Sequence, residues 1–96
     1  MKPSSALEKH RAAVRSLAGR HHVANSRVSR EVIEGQDYEG DALRLLVDPL
    51  PGASLFDLGG LQIDLEELLN VEVHVVTPSE LPASLRDDVL REARPL

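Results

Sequence analysis

Ninety-six residues, 42% of them hydrophobic, are enough for one small domain with a single core and too few for two. The chain has no cysteine, which excludes disulfides, and no apolar run approaches the ~20 residues that span a bilayer. Charge is unevenly placed: residues 1–30 carry seven Lys or Arg against one acid, residues 31–96 carry four Arg against fifteen acids, and the net charge is −5. The basic residues are spread around a helical pattern and not packed in a block, so they read as one solvated face and not as a polyanion-binding arm. Only Tyr38 and Phe56 are aromatic, which leaves no stacking platform for single-stranded nucleic acid. The first residues run straight into a charged helical pattern without a signal-peptide core, so a cytoplasmic protein is expected.

In chain order, Ser5 and Glu8 have the spacing of a capping box, and Leu7, Val14, Leu17, Ala18 and His21 recur with helical period. That predicts an amphipathic helix over residues 5–21. Residues 23–28 read as a first strand, and the acidic stretch 31–40, with two glycines, as the exposed loop of a wide hairpin. Residues 42–47 read as a second strand, with Leu43, Leu45 and Val47 on one face and Ala42, Arg44 and Leu46 on the other. Pro49, Pro51 and Gly52 break the chain. Ser54 with Asp57 then starts a helix that places Leu55, Leu58, Leu61, Leu65, Leu68 and Leu69 on one face, and Asn70 stops it. Residues 71–76 form a third strand ended by Thr77-Pro78, and Pro82 and Pro95 bracket a last helix carrying Leu85, Val89 and Leu90. The order helix, strand, strand, helix, strand, helix predicts an α/β fold spanning residues 1–96, with helices packed on a small mixed sheet of three or more strands.

Three runs carry more than periodicity: Gly40-Asp41-Ala42-Leu43-Arg44-Leu45-Leu46-Val47-Asp48, Pro51-Gly52-Ala53-Ser54-Leu55-Phe56-Asp57-Leu58-Gly59-Gly60-Leu61, and Val73-His74-Val75-Val76-Thr77-Pro78. Together they resemble the minimal nucleotidyltransferase family, small relatives of the DNA polymerase beta catalytic domain that are often encoded beside a HEPN-type toxin. The resemblance covers about residues 7–96. In members that work as enzymes, the strand matching residues 42–47 reads Asp-Leu-Asp-Leu-Leu-Val, and a third Asp stands where this chain has His74. Here those positions hold Ala42, Arg44 and His74. Nucleotidyl transfer uses divalent cations that want oxygen ligands. Ala42 supplies none, Arg44 puts a permanent positive charge where the cation would sit, and His74 is a poor ligand for magnesium. The family's Gly-Ser-x-Ala-Arg-Gly motif is matched by Arg30-Glu31-Val32-Ile33-Glu34-Gly35, where Arg30 and Glu31 crowd the approach of phosphates. Asp41 as a substitute first acid would need a one-residue slip, which turns the side chain to the other face.

What the resemblance implies is then a nucleotidyltransferase fold without the enzyme: no metal, no cofactor, and action by protein binding. The implied partner is a HEPN-family protein, to which this chain would be an antitoxin-like subunit that neutralises by masking; a homodimer is compatible with the same fold. The alternative is metal-independent binding of nucleotide, phosphate or nucleic acid in the former active-site pocket through Arg30, Arg44 and His74, where loss of acids and gain of a cation invert the local sign. Against it stands a structural use of Arg44, paired with Glu31 or Glu34 to seal the pocket. A slow transferase using Asp41, Asp48 and Glu34 is a third reading. The four histidines lack metal-site spacing and are expected at helix ends and on the surface, and Gly59-Gly60 is expected to let its helix pack closely on the sheet.

Overall fold

The computed structural model describes residues 1–96. The chain forms α1 (Pro3–Arg20), β1 (Val23–Ser29), α2 (Arg30–Ile33), β2 (Leu43–Pro49), α3 (Leu55–Leu69), β3 (Val73–Val76), a single 3-10 turn (Pro78–Glu80), α4 (Ala83–Glu92) and β4 (Ala93–Pro95). The four strands make one mixed sheet in the order β3-β2-β1-β4. The β1 strand runs antiparallel to both β2 and β4, whereas β2 and β3 are parallel. A parallel pair needs a crossover, and α3 supplies it. The fold is therefore the expected α/β arrangement, with two additions that the sequence pattern does not announce: the single turn of α2 and the three residues of β4.

One face of the sheet holds the core. Leu43, Leu45 and Val47 of β2 are completely buried against Ala6, Leu7, Val14 and Ala18 of α1 and Leu61, Leu65 and Leu69 of α3. Val73 and Val75 extend the same layer on β3. On β1 both Val23 and Val28 belong to it, although five residues apart they would point to opposite faces of a regular strand. A bulge resolves the conflict: Ala24 pairs with Asp48 but Arg27 with Leu46, so two β1 residues oppose one of β2. Asn25 takes the bulge at φ 54°, a left-handed conformation that Asn tolerates.

The start of α1 departs from expectation. The helix begins at Pro3 with Lys2 as N-cap, so Ser5 lies inside the first turn and no Ser5–Glu8 box forms. Proline at the first helical position needs no amide partner and presets φ. One orphaned amide of this helix end is met from the 31–40 segment, where the Ser4 amide donates to Asp37 Oδ2 at 2.8 Å; the Lys2 side chain adds a second tie, its Nζ donating to the Gly35 carbonyl at 2.8 Å. That segment is thus tied to α1 and is not simply an exposed loop. Asp37 is only 8% exposed. Burial opposes its charge, but the bonds from Ser4 and from its own amide, with Lys2 nearby, outweigh that and hold the carboxyl below its usual value.

The α3 helix starts as the sequence indicates, with the Ser54 amide donating to Asp57 at 2.8 Å, and it ends at Asn70 in the left-handed conformation. Two details differ. Leu55 is 83% exposed and takes no part in the leucine face, because it sits in the first turn beyond the edge of α1 and the sheet. Gly60 makes room for the end of a neighbouring helix and not for the sheet: a Cβ there would lie 3.0 Å from Cε1 of His21, the residue that caps α1, whereas Gly59 faces open space. His21 itself bonds Asp64 through Nε2 at 2.8 Å, which fastens the end of α1 to α3. Finally, α4 buries no residue, and no helix is long and apolar enough to cross a membrane.

Candidate functional site

The other face of the sheet carries the site. Because Leu43 and Leu45 point into the core, their neighbours Ala42 and Arg44 point away from it. Arg44 pairs in register with His74 on the parallel neighbour β3, so these two side chains stand side by side. Ala42, Arg44 and His74 all line one cleft of about 390 Å³, with Leu46 deeper along β2. Arg27, Val28 and Ser29 of β1 and Val32 of α2 form the adjoining wall. The opposite wall comes from α4 and the start of β4: Asp88, Val89, Glu92 and Ala93. Arg30 is not part of the lining but stands at the margin, where its Nε meets Glu34 at 3.3 Å and Glu92 at 3.4 Å.

The charges of this cleft can be followed one by one. Arg27 pairs with Asp48 at 2.8 Å and donates to the Asn25 carbonyl. Asp88 pairs with Arg91 at 3.0 Å, and Glu92 with Arg30. His74 Nε2 bonds Glu72 at 3.0 Å. Arg44 alone has no carboxylate and no hydrogen-bonding partner within the chain. The expected structural use of Arg44, a pair with Glu31 or Glu34, is therefore corrected: Arg30 is closer along α2 and takes Glu34 at i,i+4. The cleft ends up with each carboxylate matched and one guanidinium over.

The residues do not fit the divalent cation that this fold elsewhere uses. No three of His, Cys, Asp and Glu come close enough together to hold a metal ion. The acids proposed as substitutes are turned to other tasks. Asp41 accepts from the Tyr38 amide at 2.8 Å in the turn before β2, Asp48 receives Arg27 and Asn25, and Glu34 receives Arg30. Of the remaining histidines, His21 and His22 each meet a carboxylate on α3, Asp64 and Asp57.

A solved structure described as "Structure of putative minimal nucleotidyltransferase" superposes on the whole of this chain and on 97% of its own, with a TM-score of 0.86 and 41% identity. The chain belongs to the minimal nucleotidyltransferase family. A second relative, from Methanocaldococcus jannaschii and named "Putative protein adenylyltransferase", is 32% identical over 74 residues, which is 77% of this chain and 80% of that protein. No protein-family model matches the chain. These names correct the expectation that the chain is not an enzyme. The relatives are named for group transfer, at identities of 41% and 32%, and that points to an enzyme. A metal-ligand set is one way of holding phosphates, and its loss does not by itself exclude turnover.

Within the minimal nucleotidyltransferase fold, the sequence located β2 and β3 and their open face, but not the walls of the cleft. Arg27 and Ser29 enter it through the β1 bulge, which periodicity cannot register. Asp88, Val89 and Glu92 enter because α4 crosses this face, and an amphipathic pattern does not say which strand a helix crosses.

Proposed function

We propose that this minimal nucleotidyltransferase family member works on a protein partner, docking a HEPN-domain protein as its antitoxin-like subunit in the cytoplasm. The observation that carries this is the outward face of α3. Phe56, the one phenylalanine of the chain, is 91% exposed, with Leu55 at 83% and Ile63 at 57%. Phe56, Gly59 and Ile63 follow at helical spacing, so a continuous apolar stripe faces away from the core helix contacts. Isolated exposed apolar residues are ordinary, but aromatic and branched side chains aligned on one helix mark an interaction surface. Exposed Glu67 continues the stripe and favours a partner helix with basic flanks. The Methanocaldococcus jannaschii relative, named for transfer to protein, supports a macromolecular partner for this chain too.

Co-expression with the product of the neighbouring gene, which this reading expects to be a HEPN-domain protein, followed by co-purification, is the test. A stable complex is expected from the parent, with or without nucleotide. Phe56→Asp with Ile63→Asp should abolish it while leaving the melting temperature within a few degrees, because both side chains already lie in water. A partner that fails to co-purify with the parent chain would sink the reading.

A further inference from the structure

We propose that the cleft between the open face of the sheet and α4 binds a phosphate ester that carries a flat apolar body, holding the phosphate directly on Arg44 without a divalent cation. The site is separate from the α3 face, so this inference does not rest on the partner reading.

Charge gives the first argument. Arg27, Asp88 and Glu92 each have an opposite charge in contact, and Arg44 does not. An unpaired guanidinium at the edge of a cleft is a fork of donors matched to phosphate oxygens. Its permanent positive charge repels a magnesium ion and attracts an anion. Ala42 leaves room beside it and brings no competing charge. Ser29 adds a second donor, because its oxygen accepts from the Val32 amide and its hydroxyl hydrogen remains free.

The second argument is size and lining. A lone anion on one exposed cation gains little in water. A cleft of about 390 Å³ is far larger than an inorganic phosphate, and it falls in the range of small-ligand sites. Its aliphatic lining comes from Leu46 on the sheet, Val32 on α2 and Val89 on α4. A flat apolar group between those walls would displace water while the phosphate reaches Arg44. The α4 wall can follow the ligand, since this helix buries nothing and is fastened at its ends. Arg86 donates to the carbonyls of Pro78 and Leu81, Glu92 meets Arg30, and β4 pairs with β1.

Calorimetry on the full chain tests this with phenyl phosphate, AMP, benzoate and inorganic phosphate, each in EDTA and again with magnesium. Phenyl phosphate and AMP should bind in EDTA at least tenfold more tightly than benzoate or inorganic phosphate, and magnesium should not tighten them. Arg44→Gln should weaken phenyl phosphate at least tenfold, with Arg44→Lys recovering part of the loss. Neither change should alter the circular dichroism spectrum, because Arg44 makes no contact that holds the fold. Binding that requires magnesium, binding that survives Arg44→Gln, benzoate equal to phenyl phosphate, or no binding at millimolar ligand would each overturn the proposal.

Discussion

Alternate residues along β2 and the residue before it live in two environments: Leu43, Leu45 and Val47 are sealed beneath α1 and α3, while Ala42 and Arg44 stand open in the cleft under α4. The sealed face can hold only apolar side chains of fitting volume, since a polar or short one there leaves an unmet group or a void. The open face has no such constraint. Its side chains can change charge and size while the backbone beneath them stays where the core holds it. This is how Ala42, Arg44 and His74 can line an open cleft in a chain that still superposes on a relative with a TM-score of 0.86.

The contrast is sharpest in paired substitutions on the same strand. Leu45→Ala should cost about 2–5 kcal/mol in chemical denaturation, and Arg44→Ala about 0.5 kcal/mol or less. Comparable losses at both positions would mean that the two faces are not energetically distinct.

Rebuilding the acids probes the open face alone. Ala42→Asp, Arg44→Asp and His74→Asp together place three carboxylates in one cleft, where each unit of raised pKa costs about 1.4 kcal/mol. The metal-free triple variant should therefore melt below the parent. Magnesium at 100 times its Kd should restore about 2.7 kcal/mol. A thermal melt with and without magnesium reads both effects, and a variant indifferent to magnesium would show that the three positions do not converge.

A smaller effect separates the two faces from the segment that joins β1 to β2. Asp37→Ala removes the carboxylate that meets the Ser4 amide and should cost about 1 kcal/mol at neutral pH. The sign with pH follows from the lowered carboxyl. The folded value lies below the unfolded one, so the contribution is complete above about pH 4 and is lost as pH falls through the folded value. Stability curves of parent and variant should accordingly converge in acid; a gap that stays constant to low pH would contradict the assignment. The smallest effect is on α3. Gly59→Ala, with open space at its Cβ, should stabilise by about 0.5–1 kcal/mol, and Gly60→Ala by less, because His21 must give way.

Much of this was legible in the residues themselves. The leucine period of α3, the Ser54–Asp57 start, the Asn70 stop and the alternation along β2 are local patterns, and local patterns survive in a linear text. The start of α1 was not legible, since its cap comes from Asp37, 33 residues away from Ser4. Leu55 was misplaced because helical period gives a direction around an axis but not the point at which the neighbouring surface ends.

By itself, then, the sequence determined the family, the α/β order, and the alternation that sets Ala42 and Arg44 on the face opposite Leu43 and Leu45. Tertiary structure alone decided that Val23 and Val28 share a face, that α4 closes the cleft, and that Arg44 is the cation lining the cleft without a carboxylate partner. The physical reason is range. Propensity, period and capping act over a few residues and are written in order along the chain. Charge pairing and the walls of a cleft depend on which distant side chains the fold brings to the same place, and here Glu92 lies beside Arg30 and no carboxylate lies beside Arg44.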